Sequence, residues 1–82
     1  RTEDEIAKIY SAAANNVSLI ETETSPLIGF SETEWKARIE RNVRHLEQIK
    51  AYTKLDGKTS IWTSEDFTAI DAAIVKGKKV YE

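Results

Sequence analysis

Residues 30–35 read FSETEW and residues 62–67 read WTSEDF, so the chain carries the same kind of motif twice. In each motif an aromatic residue precedes a hydroxyl residue, an acidic residue follows three positions later, and a second aromatic residue comes next. The hydroxyl and acidic residues have the spacing of a capping box, and the two aromatic residues have the spacing of a hydrophobic staple. Both motifs therefore predict helix starts, just after Ser31 and Thr63.

The beginning of the chain carries a third motif of this kind, because Thr2 is followed by Glu5 at capping-box spacing. Beyond it, apolar residues recur mostly at steps of three and four, which is the period of one helix face. This stripe consists of Ile6, Ile9, Tyr10, Ala13, Val17 and Ile20. We expect a first helix over residues 3–20, with the pair at 15–16, Asn-Asn, as an earlier alternative end because asparagine has modest helix propensity.

The longest helical pattern lies in the middle of the chain. Its stripe comprises Trp35, Ile39, Asn42, Val43, Leu46, Ile49 and Thr53. The stripe predicts a central helix over residues 32–54, which Asp56-Gly57 would end, since glycine favours the conformation just past a helix. Before it, residues 21–29 form a connector in which Leu27 and Ile28 are expected to pack against the core.

A third helix is predicted over residues 64–76. Phe67, Ile70, Ala73 and Ile74 form its inward face, and Lys76-Gly77 supplies its end signal. Between the second and third helices, residues 58–62 are either extended or loop. The sequence thus predicts an all-α fold, a small three-helix domain with a long central helix, over residues 1–82 as a single domain.

The small size of the chain favours binding to protein partners. A domain of 82 residues buries only about 60% of the surface that its unfolded chain exposes. We therefore expect protein partners, by self-association or with other proteins, to complete the core. Net charge is -2, from 12 basic and 14 acidic side chains, which is too balanced to indicate nucleic acid or membrane binding.

Few residues have the chemistry of an active site. His45 is the only histidine and cysteine is absent, so we expect no metal site and no cofactor. The neighbours of His45 one helical turn away include no carboxylate to orient it as a base. Residues 57–59, Gly-Lys-Thr, lack the upstream glycine of a phosphate-binding loop, because position 52 is Tyr52. The sequence therefore predicts a non-enzymatic protein.

Five residues are candidates for binding a protein partner, because large aromatic side chains and polar residues within apolar stripes often decide which partner binds. They are Phe30, Trp35, Asn42, Trp62 and Phe67. The four aromatic residues are alternatively explained as helix staples and core. Asn42 is alternatively an ordinary boundary residue.

A second hypothesis is a small nucleic-acid-binding regulator that uses the basic face of the central helix. Its contact residues would be Arg38, Arg41, Arg44 and His45. Glu34, Glu40 and Glu47 interrupt this basic stretch, and the electrostatic footprint of a nucleic-acid-binding domain is missing.

Residues 34–49, EWKARIERNVRHLEQI, together with residues 62–68, WTSEDFT, and residues 71–74, DAAI, resemble small uncharacterised helical proteins of tailed bacteriophages, particularly marine ones. The resemblance covers about half of the chain. It implies a structural protein associated with the virion, located in the virion or the host cytoplasm, and it brings no catalytic residues. No secretion signal is visible in the sequence.

Overall fold

The computed structural model describes residues 2–26 and 28–82. The chain forms three α-helices, α1 (Glu3–Thr22), α2 (Glu32–Ile49) and α3 (Ser64–Tyr81). Each helix contacts the other two, which confirms the predicted all-α three-helix fold. In the described residues, β structure is limited to an isolated antiparallel bridge between Thr53 and Ser60, so residues 58–62 are loop.

All three predicted helix starts are confirmed. Thr2, Ser31 and Thr63 are the N-caps, and each accepts a hydrogen bond from the backbone N–H three residues later. Thr2 and Thr63 form complete capping boxes with Glu5 and Asp66. Within the described part of the chain, Ser31 makes only the first of the two bonds, with the N–H of Glu34.

The ends of α2 and α3 differ from the sequence prediction. The central helix stops at Ile49 and not at residue 54, because two tightened turns follow it, Ala51 N–H to Gln48 O and Tyr52 N–H to Ile49 O. Gly57, with φ of 71°, belongs to the loop beyond. The last helix continues to Tyr81, through the predicted end at residues 76–77.

Gly77 is a packing position and not a helix end. A β-carbon placed on it would lie 2.3 Å from Val43 Cγ2 and 3.3 Å from Ile39 Cγ2. Real side-chain contacts of this kind are never so short, so only glycine lets α3 approach α2 this closely. The C-terminal turn of α3 is completed by Lys78 and Lys79, whose charges suit the negative end of the helix dipole.

The three helices alternate in direction. Trp35, at the start of α2, donates from Nε1 to the carbonyl oxygen of Glu23, at the end of α1, over 2.8 Å. Trp62, just before α3, donates to the carbonyl oxygen of Ile49, at the end of α2, over 2.9 Å. The first and third helices therefore run parallel to each other and antiparallel to α2.

A single apolar core lies between the helices. Its buried members are Ala13, Ile20, Trp35, Ile39, Val43, Leu46, Ile49, Ile61, Trp62, Ile70, Ala73 and Ile74. Ile28 was expected to join them, but it is fully exposed at the tip of the connector, where Gly29 turns the chain with φ of 88°. Leu27 lies outside the described residues.

The aromatic rings of the two helix-start motifs make contacts outside their own motifs. Trp62 packs edge to face on Tyr10, with ring centroids 5.1 Å apart. The ring of Phe30 lies under the guanidinium of Arg38, 5.8 Å from Cζ. In each motif the indole N–H donates to a carbonyl at the end of the preceding helix.

Candidate functional site

An open groove runs between α1 and α3. The first helix contributes Tyr10, Ala13, Ala14 and Val17, and the third helix contributes Asp66, Ala69 and Ile70. Trp62 closes one end, and the groove has a volume of about 470 Å³. Its lining is apolar apart from Asp66 and the hydroxyl of Tyr10.

Small residues keep this groove open. Ala14 on α1 and Ala69 on α3 both line the groove, and both are exposed, so they lie at its mouth. Ala13 and Ile70 are buried beneath them and form its floor. Because an alanine side chain ends at Cβ, the mouth is a furrow that a larger side chain at either position would fill.

Two aromatic residues build the wall at one end. Tyr10 is 41% exposed, and its hydroxyl donates to the carbonyl oxygen of Ile61 over 2.6 Å. Trp62 is 8% exposed and is held by its bond to the Ile49 carbonyl. Both rings are therefore fixed in place by hydrogen bonds before any partner binds.

Asp66 provides the charge at this end. Its Oδ2 accepts the N–H of Thr63 over 3.0 Å as part of the capping box. Among the described residues, no lysine, arginine or histidine forms an ion pair with it. The groove thus ends at two aromatic rings and a carboxylate that no cation of the described residues pairs with.

The five predicted partner-binding residues do not form one surface. Trp62 lies in the groove, whereas Trp35 lines a polar depression at the far end of the molecule. Phe30 is exposed beside Arg38, and Phe67 is half-buried with the ammonium of Lys50 6.0 Å from its ring centre.

One polar residue buried between α1 and α2 is Asn16, which is 6% exposed. Its Nδ2 lies 2.8 Å from Nδ1 of His45, so the only histidine bonds to a neighbouring helix. Asn42, the polar residue that the sequence singled out, is half-buried on α2. The spacing of the apolar residues identified the inward face of α2, but it did not indicate which asparagine of the chain would be buried.

The basic face of α2 is largely used within the chain. Nε of Arg38 donates to both carboxylate oxygens of the buried Glu23, over 2.8 and 2.9 Å. Nη2 of Arg44 lies 3.4 Å from Oε1 of Glu40, and the ring of His45 bonds to Asn16. Three of the four candidate nucleic-acid contacts, Arg38, Arg44 and His45, are therefore engaged within the chain.

The loop that contains Gly-Lys-Thr is occupied by a carboxylate of the chain itself. Oδ1 of Asp56 accepts the N–H groups of Lys58 and Thr59, each over 2.8 Å, and Oδ2 accepts the hydroxyl of Thr59 over 2.6 Å. The N–H groups that a bound anion would need are therefore already satisfied. These bonds, chiefly the one from the Thr59 hydroxyl, lower the pKa of Asp56 to about 2.

We expect the Asp56 carboxyl to titrate with a midpoint of about 2 in carboxyl-detected NMR. Because the pKa is lowered in the folded state, the ionised carboxyl stabilises the loop at pH values above its ordinary pKa, which is near 3.8. This contribution to stability disappears as the pH falls towards 2. Thr59→Ala should move the midpoint towards 3.8, because it removes the largest cause of the shift.

Thr59→Ser keeps the hydroxyl and should leave the midpoint low. Lys54→Gln is the matched charge control, since the charge of Lys54 makes the smallest contribution to the lowered pKa. An ordinary midpoint in the wild-type chain would mean that the Asp56 turn does not form in solution.

Within residues 2–26 and 28–82, no helix combines the length and the apolar composition needed to span a membrane. The same residues contain no group of three or more histidine, aspartate or glutamate side chains placed to hold a metal ion. No protein-family model, curated protein or solved structure matches the chain.

Proposed function

We propose that this chain is a non-enzymatic protein-interaction module of a tailed-phage particle, and that the groove between α1 and α3 holds its partner. The observation that carries the proposal is the groove itself, an apolar concavity with rigid aromatic residues at one end. Concave, mostly apolar and pre-formed surfaces are the usual form of a binding site. Association with a phage particle rests on the resemblance of residues 34–49, 62–68 and 71–74 to small phage proteins.

The exposed part of the groove lining lies outside the buried core. Buried residues from all three helices form one cluster, whereas Ala14, Ala69 and Tyr10 lie at the surface above it. Covering the groove would remove apolar surface from water, and each Å² so removed contributes about 25 cal/mol. A partner segment therefore gains affinity here without requiring any rearrangement of the three helices.

Ala14→Glu together with Ala69→Glu is expected to abolish partner binding while leaving the chain folded. Both alanines are exposed, so the substitutions put two charged side chains into the mouth of the groove without touching the core. Burying an unpaired carboxylate is costly enough to prevent docking. Ala7→Glu with Ala72→Glu is the matched control, since these alanines are exposed on the same two helices but do not line the groove.

The experiment expresses each tagged variant in the infected host and purifies the particles on a density gradient. We expect the wild-type chain and the Ala7/Ala72 control to sediment with particles and the Ala14/Ala69 variant to remain at the top. Circular dichroism melts check that both variants are folded. A photo-crosslinking residue at position 14 or 69 then identifies the partner by mass spectrometry.

Each alternative outcome contradicts a different part of the proposal. A wild-type chain absent from purified particles would contradict the virion assignment. An Ala14/Ala69 variant that stays with the particles would show that another surface binds. Light scattering across concentration tests self-association: a dimer that only the Ala14/Ala69 variant loses would make a second copy the partner.

A further inference from the structure

The groove is electrostatically asymmetric along its length. Towards the C-termini of α1 and α3, beyond the lining of the groove, the ammonium of Lys76 lies 4.0 Å from Oε1 of Glu21, so that carboxylate already has a cation. At the other end Asp66 has none among the described residues. A partner that fits the groove therefore meets, at the Asp66 end, a carboxylate with which no cation of the described residues is paired.

The aromatic wall adds to the preference for a cation. Tyr10 and Trp62 line the groove beside Asp66, and their rings meet at 73°. Aromatic faces attract ammonium and guanidinium groups, tryptophan most strongly, and the attraction grows when water is excluded. A carboxylate and two aromatic rings around one apolar hollow have the chemistry that receives the end of a lysine or arginine side chain.

The shape of the groove indicates which segment carries that cation. From Tyr10 to Val17 the first helix rises about 10 Å, or about two turns. The furrow between two parallel helices above an alanine-lined mouth suits a further helix that presents an apolar face. Such a helix, lying antiparallel to α1 and α3, brings its C-terminal turn to the Asp66 end, where lysine or arginine is favourable for its own dipole.

We infer that the groove binds an amphipathic helix of a partner protein, antiparallel to α1 and α3, whose C-terminal turn places a lysine or arginine against Asp66, Tyr10 and Trp62. The inference rests on the proposed function and specifies its partner. Small and medium apolar residues of that helix fill the furrow between Ala14 and Ala69. Its cation gains an ion pair and contacts with two rings, and the carboxylate of Asp66 gains a partner.

The test uses the whole chain and a displayed library of alanine- and leucine-rich helical peptides. All members share an apolar face, and one position in the last turn is lysine, arginine, glutamine, glutamate or leucine. We expect the wild-type chain to enrich lysine and arginine and to deplete glutamate. A purified peptide with lysine should bind about 5- to 30-fold more tightly than its glutamine counterpart, measured by the fluorescence of the chain with tryptophan-free peptides.

Asp66→Asn should bring the lysine and glutamine peptides to nearly equal affinity. Asparagine keeps an oxygen for the N–H of Thr63, and thermal melts show whether the cap and fold survive. Glu65→Gln is the matched control, because it removes one exposed carboxylate from the same turn without changing the lining of the groove. The control should retain the preference for lysine.

The outcomes separate this inference from the function on which it rests. Enrichment of apolar helices without a preferred cation, or a lysine preference that survives Asp66→Asn, would overturn the inference and leave the groove as a binding site. Failure to enrich any helix above the level seen with the Ala14/Ala69 variant would contradict both. In a second library that varies the same five residues at one position of the first turn instead, a preference for lysine would overturn the antiparallel orientation.

Discussion

Trp62→Ala should lower the free energy of unfolding by about 3–5 kcal/mol, the range measured when a large aromatic residue is removed from a core. Trp62 is 8% exposed, its ring packs on Tyr10, and its Nε1 bonds to the carbonyl of Ile49. At about 0.05–0.15 kcal/mol per residue, a chain of this length has a total free energy of unfolding of about 4–12 kcal/mol. The variant therefore loses much of its stability, and denaturant titration followed by circular dichroism measures the loss.

Trp62→Phe separates packing from hydrogen bonding at this position. Phenylalanine keeps most of the ring but has no N–H, and the Ile49 carbonyl still accepts the N–H of Tyr52 over 3.1 Å. We expect a loss of about 0.5–1.5 kcal/mol, the usual net value of one hydrogen bond. Trp35 is then the only tryptophan, so its fluorescence follows the far end of the bundle. Equal stability of Trp62→Ala and wild type would contradict the position of Trp62 in the core.

Helix starts could be predicted from sequence because they are local. Each cap and the N–H group that it satisfies lie within four residues of one another, and Thr2, Ser31 and Thr63 all act as predicted. Helix ends depend on what lies across the core. Gly77 has the sequence pattern of a stop signal, but its role is set by Val43 on another helix, which no local pattern reveals.

The candidate site was only partly predictable for the same reason. Trp62 stood out as an aromatic residue in a motif, but its ring partner Tyr10 comes from another helix. Ala14 and Ala69 have no distinctive chemistry, and they form a groove only because α1 and α3 lie side by side. A pairing between helices, such as that of Asn16 with His45, depends on the same tertiary arrangement and has no local sequence pattern.

The second large effect is expected at Gly77, where Gly77→Ala should lower the free energy of unfolding by about 1–2 kcal/mol. Two opposing effects decide this value. Replacing glycine within a helix normally gains about 1 kcal/mol, whereas forcing an extra methyl into a packed core costs about 1–3 kcal/mol. A contact of 2.3 Å with Val43 Cγ2 puts the cost at the upper end of that range, so crowding outweighs helix propensity.

Val43→Ala tests this explanation directly. Alone it leaves a cavity, because Val43 is completely buried, and should cost about 2 kcal/mol. Combined with Gly77→Ala it makes room for the new methyl group, so the double variant should be at least about 1 kcal/mol more stable than the sum of the single effects predicts. Ala72→Gly, at an exposed position of the same helix, measures the propensity effect by itself.

Additive effects of the two substitutions would mean that the methyl of residue 77 does not meet the side chain of Val43. A Gly77→Ala variant more stable than wild type by about 1 kcal/mol, the value of helix propensity alone, would contradict the close approach altogether. In that case Gly77 would be tolerated in α3 and not required there, and the contact between α2 and α3 would have to accommodate a side chain at position 77. Loss of stability with rescue by Val43→Ala instead identifies Gly77 as the residue that sets the distance between these helices.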